Sequence, residues 1–537
     1  MTTPHRDLFM IGPDGSRKPP PLEIVGAKAA ELWHMTRLGL KVPSAFVLST
    51  RLCGPVNRQD DEATRTLEQC LAKGIAYLEQ ATGRRFGGSR CPLLVSVRSG
   101  AARSMPGMLE TVLDVGLNGE TVRGLIRLTG NPRLAWDCYR RFVQGFAEVV
   151  WGLPAAPFEA RLAAVKCAEG IAPNDELDPE ALERLTTYYR DIAAELAGRQ
   201  VPDDPMLQLA AVARAVYRSW DSAKACEYRR LNSLDDLSGT AVTVQSMVFG
   251  NGGGKSGAGV AFTRNPATGA NDLYAEFLFD AQGEDVVSGR RRPSDWKIVA
   301  RKLPEVAEAL SRGARRLERE HREMQDIEFT VEDGHLYFLQ ARAAKRTPRA
   351  AMKVAVDFVR EGVIDEAEAL RRVSDIDPAT AVVARFAGSA AAIGVASPAS
   401  VGVATGRVAL DSARAKVLAD QGEPVILVRR DTSTEDVVGF AVAAGILTAV
   451  GGRTAHAAVV ARQLGKVCLV GCADLVIEPD GRRAKIGGHA LAEGDWLSLD
   501  GESGEIYAGQ REVVRDRPAA ELETIGAWRA RLAVPAN

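Results

Sequence analysis

A chain of 537 residues, 46% hydrophobic and 26% charged, has the composition of an ordinary globular protein and the length of several domains. Its net charge of −1 supplies no global field for nucleic acid or an anionic membrane surface, so neither is an expected partner. The N-terminus has no signal-like apolar core, no apolar run approaches a membrane span, and the eight cysteines contain no CxxC pair, which together fit a cytoplasmic protein; Cys468 and Cys472 lack a second Cys/His pair, so no zinc site is expected.

In chain order, the first hundred residues read as a mixed α/β unit. Ala27–Leu38 is a helix with Leu32, Met35 and Leu38 on one face, closed by Gly39, and strands follow at Ala45–Leu48 and Leu93–Ser99. Residues 120–230 turn helical, most clearly over Pro179–Leu196 and Met206–Arg218. Strands return at Ala241–Phe249, Gly259–Thr263 and Glu328–Gln340, and Ala350–Arg372 reads as one helical stretch. Asp375–Ser400, rich in Ala, Pro, Gly and Ser, reads as a linker. A compact β-rich domain with few helices is expected over Val401–Gly509, then a terminal amphipathic helix over Arg511–Asn537. The expected divisions are 1–118, 119–235 (helical), 236–346, 347–400 (helix and linker), 401–510 and 511–537.

Three places carry chemistry. The segment Gly250-Asn-Gly-Gly-Gly-Lys-Ser-Gly257 contains Gly-Lys-Ser, but position 249 is Phe, where the phosphate-binding P-loop needs Gly, and a strand rather than a helix follows. Strand, glycines and strand are expected to form a hairpin flap whose Gly250, Gly252, Gly253, Gly254 and Gly257 lay N–H groups over a polyphosphate; a plain flexible hairpin is the alternative. Asp326 and Glu328, two apart at the start of a strand, share one face, as paired oxygen ligands for Mg²⁺ would, although a solvated strand face has the same pattern. Gln340 and Arg342 end a strand with an amide and a guanidinium fork.

The third place is Gly451-Gly-Arg-Thr-Ala-His456-Ala-Ala-Val-Val-Ala-Arg462, which follows the buried-strand run 444–450. Two glycines let the chain turn, Thr454 caps a helix over Ala455–Gln463, and His456 falls in its first turn, where a phosphate on the imidazole would meet backbone N–H groups and the positive end of the helix dipole. A satisfied core or surface histidine is the plain alternative.

This segment resembles the phosphohistidine signature of the phosphoenolpyruvate-utilising enzymes, Gly-Gly-Met-Thr-Ser-His-Ala-Ala-Val-Val-Ala-Arg, with Arg453 for Met and Ala455 for Ser. Ile24-Val-Gly-Ala-Lys28, Val95-Ser-Val-Arg-Ser-Gly100, Met105-Pro-Gly-Met108, Thr263-Arg-Asn-Pro266, Ala281-Gln-Gly-Glu-Asp-Val-Val287 and Gln325-Asp-Ile-Glu-Phe-Thr330 resemble the pyruvate, phosphate dikinase family in order, from about residue 20 to 510. The resemblance implies an α/β multidomain protein: an ATP-grasp nucleotide domain with a helical insertion, joined to a swivelling β-rich α/β phosphohistidine domain. It implies that Lys28 and Arg98 hold ATP phosphates, that Glu284, Asp326 and Glu328 serve Mg²⁺ and nucleotide, that Gln340 and Arg342 serve the phosphate region, and that His456 is the acceptor. The family's Gly-Gly-Lys-Gly stands here as Gly-Ala-Lys-Ala around Lys28. Thr454 matches a position phosphorylated by regulatory kinases in plant members; a helix cap accounts for it without regulation.

The family's C-terminal (β/α) barrel for pyruvate or phosphoenolpyruvate is not among these 537 residues. The expected activity is therefore a half-reaction, in which neutral His456 attacks the β-phosphorus of Mg²⁺–ATP and releases AMP. Inorganic phosphate then takes the outer phosphoryl group as pyrophosphate, and the remaining one passes to pyruvate on a barrel supplied by another chain. The same chemistry toward a different acceptor, and a non-catalytic nucleotide-binding regulatory role, stay open, as does a homo-oligomer.

Overall fold

The computed structural model describes the chain except residues 1–5, 13–14, 16–19, 104, 106–108, 172–176, 289–292, 295, 377–382, 389, 432–435, 452–455, 479–480, 517 and 533–537. It divides into two compact units: 1–252 with Tyr337–Gln340, and 253–336 with 341–537.

In the first unit, among the described residues, five antiparallel strands stand in the order Leu8–Ile11, Ala45–Leu48, Ala241–Ser246, Val95–Gly100, Thr111–Val115. The helices of the 120–230 stretch do not form a body of their own. Phe142, Phe146, Tyr189, Leu209 and Val216 share one buried core with Phe46, Leu48, Val97 and Val244 of the sheet. The amphipathic helices Pro132–Trp151 and Pro179–Ala197 bury one stripe each, start on Asn131 and Asp178 caps, and end on left-handed Gly152 and Gly198. Both 118/119 and 235/236 fall within the first unit. Ala241–Ser246 is a central strand of the first sheet, and the boundary between units falls at Gly252/Gly253.

The second unit contains two sheets of consequence. The first has the order His335–Ala343, Gln325–Glu332, Gly257–Phe262, Tyr274–Phe279. The expected single strand Glu328–Gln340 is two strands joined by a tight turn, with Asp333 and Gly334 both at positive φ (47° and 77°), the conformation Asp-Gly favours in hairpins. The expected helix Ala350–Arg372 is likewise two, Pro348–Arg360 and Glu366–Arg372, broken around left-handed Gly362.

The other sheet belongs to the 394–508 region. Four strands, Val403–Ala409, Val425–Arg429, Gly445–Thr448 and Val467–Val470, run parallel. Helices Ser412–Asp420, Val437–Val442 and His456–Gln463 lie between them in sequence, so the domain is a wound α/β sheet rather than β layers with few helices. Antiparallel strands extend it on both sides, among them Gly394–Val395 and Ser397–Ser400. Part of the expected linker is therefore sheet. The rest holds Val383–Phe386, which pairs antiparallel with Val513–Asp516. The tail is that strand followed by helix Ala519–Leu532, whose Ile525 and Trp528 pack into a core with Met352, Phe358 and Ala369. Among the described residues, no helix is long and apolar enough to cross a membrane.

Candidate nucleotide and phosphohistidine sites

In the first unit two motifs meet through their glycines. Gly26 interrupts helix Leu22–Arg37 with φ 76° and ψ 162°, so the regular helix begins at Ala27, as read from the sequence. A Cβ on Gly26 would lie 2.0 Å from the carbonyl oxygen of Gly100, and the Ala27 N–H donates to the Ala101 carbonyl at 2.9 Å. Lys28 therefore stands in the first turn of the helix beside the end of strand Val95–Gly100, where a Cβ on Gly100 would lie 4.0 Å from its own Cβ. Arg98 is on that strand, opposite Thr111 and Thr243, and shares a face with Gly100. The structure thus brings together the Lys28 and Arg98 segments, 70 residues apart in sequence.

The glycine-rich segment is not a hairpin. Ala241–Ser246 is flanked by strands on both sides in the first sheet, and Gly257–Phe262 pairs with Tyr274–Phe279 and Gln325–Glu332 in the second. With both edges taken, the two strands cannot pair with each other, so Gly250–Gly257 passes from one sheet to the other. Gly253 and Gly254 have positive φ (77° and 58°), with nothing within 4 Å of a would-be Cβ, so these two retain the open backbone a phosphate cradle uses. The segment is tethered: Gly253 N–H donates to Asp280 Oδ1 at 3.0 Å, and the hairpin turn supports it through Asp333 N–H to Ser256 Oγ (3.0 Å) and Gly334 N–H to the Lys255 carbonyl (3.2 Å). Gly257 has a packing reason instead, because a Cβ there would sit 2.1 Å from the Phe277 ring. Gly250 is buried and Gly252 exposed, both at the end of the first unit.

Asp326, Glu328 and Arg342 do form a cluster. Asp326 is 8% exposed, and Arg342 grips its Oδ2 with Nε and Nη2, both at 2.8 Å. Burial pushes the Asp326 carboxyl above its ordinary range, and Arg342 offsets part of that. Burial alone would lower the Arg342 guanidinium, but Asp326 and Glu328 hold it above its ordinary value. Asp326 Oδ1 is buried and has no hydrogen-bond partner among the described residues. A buried carboxylate oxygen left over, with a second carboxylate two residues along the same face, suits a hard cation; Mg²⁺ commonly takes one or two carboxylates and completes its shell with phosphate and water. Among the described residues no group of three His, Cys, Asp or Glu gathers as a metal cage. Gln340, half-buried, shares a strand face with Arg342, although its segment belongs to the first unit. Glu284 is in helix Gly283–Ser288, its side chain outside the described part.

Support for this cluster is the part sequence reasoning missed. Thr263-Arg264 ends the strand beside Asp326, with Thr263 N–H donating to the Gln325 carbonyl at 3.0 Å. Arg264, fully buried, donates to Glu318 through Nε (3.1 Å) and Nη2 (2.9 Å) and to Glu361 through Nη1 (3.1 Å) and Nη2 (2.6 Å). Thr263 Oγ1 donates to the same Glu318 at 2.6 Å. The available signal was Glu318 beside Leu310, Ala314 and Leu317 on the buried side of helix Pro304–His321, a charge placed where an apolar residue belongs.

In the 394–508 region, His456 is the first residue of helix His456–Gln463, after the C-terminal end of a central parallel strand, where open α/β sheets bind ligands. Its side chain, and Thr454 with its expected cap, lie outside the described residues, as do Pro106–Met108. Ala457, Ala458 and Ala461 let the helix settle closely on Cys468 and Val470. The turn is clamped from below: Cys472 N–H donates to the Thr448 carbonyl at 2.9 Å, Thr448 Oγ1 to the Val450 carbonyl at 2.7 Å, and a Cβ on Gly471 would come 2.8 Å from the Gly451 carbonyl. Burial pushes the Cys468 thiol up to about 12, which makes it a packing residue rather than a ligand.

An antiparallel sheet with helices, a second sheet carrying a carboxylate–guanidinium cluster, and a wound sheet with a histidine at a helix start define a multidomain α/β protein. Residues 62–308 and 304–362 match the family described as the pyruvate phosphate dikinase AMP/ATP-binding domain, and 421–504 the mobile domain of PEP-utilising enzymes. The chain belongs to the pyruvate, phosphate dikinase family. It is 43% identical over 512 residues to pyruvate, phosphate dikinase of Clostridium symbiosum, covering 94% of this chain and 58% of that protein. It is 41% identical over 545 residues to the chloroplastic enzyme of Flaveria pringlei (100% and 57%), and 43% over 514 to pyruvate, phosphate dikinase 2 of Zea mays (94% and 58%). The chain thus spans less than three fifths of the length of these relatives.

Proposed function

We propose that this chain carries out the nucleotide half of a dikinase reaction, binding Mg²⁺–ATP in an ATP-grasp-type site and moving phosphoryl groups onto His456 with release of AMP. The observation that carries the reading is the Asp326–Glu328–Arg342 cluster with its leftover buried Asp326 Oδ1, in a chain whose family is named for AMP/ATP binding. When bound, Mg²⁺ would neutralise phosphate charge and hold the phosphates in line. Asp326 and Glu328 would hold it, with Glu284 toward the nucleotide. Lys28, Arg98, Gln340 and Arg342 would position phosphate oxygens, and Gly253 and Gly254 would let backbone approach them.

In the step itself a neutral imidazole nitrogen of His456 forms a bond to the β-phosphorus as the bond to the α-phosphate oxygen breaks and AMP leaves. Inorganic phosphate then accepts the outer phosphoryl group as pyrophosphate. Positioning and charge neutralisation supply most of the catalysis. The 394–508 region, joined through the Val383–Phe386 and Val513–Asp516 pair, is the natural swivelling carrier. Onward transfer to pyruvate requires a pyruvate-binding domain outside residues 1–537, on this or another polypeptide.

The test is incubation with Mg²⁺ and ATP labelled at the β-phosphate, wild type beside His456→Ala, with and without inorganic phosphate. Acid-labile, base-stable label on wild type alone, with AMP released, is expected. Label retained by His456→Ala would move the acceptor elsewhere. No label and no AMP from wild type would leave a nucleotide-binding regulatory protein.

A further inference from the structure

The histidine-bearing domain touches the carboxylate-bearing part of its own unit at a specific ion pair. Arg349, in the first turn of helix Pro348–Arg360, lies 2.5 Å from Glu502. That helix shares a core with the Asp326 sheet, through Met352, Val354 and Phe358 against Ala258, Val260 and Phe262. Glu502 lies in the turn between strands Trp496–Asp500 and Glu505–Ala508. Asp500 Oδ1 accepts from the N–H groups of Glu502 (2.8 Å) and Ser503 (3.1 Å), so the turn presents the glutamate in a set direction.

We propose that the Arg349–Glu502 pair is a docking latch that holds the histidine-bearing domain against the part of the unit that carries Asp326 and Glu328. The inference rests on the reading of His456 as acceptor and of that part as the ATP site. The latch is weak by construction. Its side chains are 31% and 41% exposed, and exposed pairs of this kind shift a population by about fivefold at most. A weak hold suits a carrier that must leave between half-reactions.

The test uses the full chain with Glu502→Arg, Arg349→Glu and the double charge swap, read by single-turnover AMP release and phosphohistidine yield. Each single variant should slow phosphohistidine formation by about threefold to fivefold with ATP affinity unchanged, and the swap should restore it to within about twofold. Unchanged single variants, or a swap that recovers nothing, would overturn the latch. A readout independent of chemistry is a disulfide between Arg349→Cys and Glu502→Cys, with exposed Cys91, Cys167 and Cys226 replaced by Ser. It should form faster than one between Arg349→Cys and Lys416→Cys on the same domain, and no difference between the pairs overturns the proposal. A wild type that makes no phosphohistidine while the disulfide still forms would remove the histidine reading and leave the latch standing.

Discussion

Replacing Arg264 by Met should loosen the strand that carries Asp326 far more than its distance in sequence suggests. The guanidinium is 1% exposed and its removal leaves Glu318, 9% exposed, with the Thr263 hydroxyl in place of three guanidinium contacts at 2.9–3.1 Å. Breaking one partner of a buried pair costs about 3–5 kcal/mol, because the other charge stays behind uncompensated. Thr263 is tied to Gln325, the residue before Asp326, by its N–H to the Gln325 carbonyl and by the Gln325 N–H to its Oγ1, each at 3.0 Å. The cost should therefore appear in the amides of Gly257–Phe262 and Gln325–Glu332. Native-state hydrogen exchange should show protection there falling by about two to three and a half orders of magnitude, since 1.4 kcal/mol is tenfold. Glu361 and Asp357, more open to water, soften the loss and set the lower end of that range. The double variant Arg264→Met/Glu318→Met should regain most of the protection, because both charges leave together. A loss under tenfold in the single variant, or a double variant no better than the single, would refute the argument that the uncompensated Glu318 charge dominates.

Gly26→Ala should weaken ATP binding at least tenfold by titration calorimetry, since the left-handed conformation costs about 1–2 kcal/mol and the new Cβ, 2.0 Å from the Gly100 carbonyl, must push the Lys28 helix away; wild-type affinity would show that Lys28 is not placed by this contact. Asp326→Asn should raise the Mg²⁺ concentration needed for AMP release by about tenfold or more while the fold, followed by circular dichroism, survives, because the amide removes an anionic ligand but keeps the shape. In Asp137, burial pushes the carboxyl up, but Arg141 and Arg140, at 2.8 and 2.6 Å, outweigh it and hold it well below the usual range. A depressed carboxylate contributes stability above its unfolded pKa of about 3.9 and loses it as pH falls through the folded value. Asp137→Asn should therefore destabilise helix Pro132–Trp151 at pH 7, and the gap from wild type should narrow steadily below about pH 4; a gap that does not change with pH would show that packing, not charge, is what Asp137 supplies.

Local signals carried much of this protein. The helix read from Ala27 starts there because Gly26 breaks the chain, and two glycines with a Thr454 cap are enough to put His456 in a first turn. Asp326 and Glu328 could be put on one face from a period of two, and Arg342 indeed meets Asp326. What local signals could not carry is which strand pairs with which. Ala241–Ser246 and Gly257–Phe262, separated by glycines, look like a hairpin from inside the segment. What rules it out lies elsewhere in the sequence, in Val95–Gly100, Ala45–Leu48 and Gln325–Glu332, which pair with those edges. The Asp333-Gly334 pair is a strong local turn signal that divides Glu328–Gln340 into two strands.

That pairing changes what the glycines are for. A hairpin flap would be free to open over a nucleotide with only its own turn to move. A crossing between sheets is held at both ends, Asn251 donating to Cys138 Sγ at 3.7 Å on one side and Gly253 to Asp280 on the other. Its open backbone is then concentrated at Gly253 and Gly254, and what steadies it is the hairpin turn after the Asp326 strand, through Ser256 and Lys255. Any shift of strand Gln325–Glu332 that accompanies a cation at Asp326 would be passed to the glycines by two hydrogen bonds. The Asp326 strand and the glycine-bearing backbone are therefore linked through one hairpin turn, so variants at Arg264 and Asp326 should perturb the exchange of Ser256 and its neighbours.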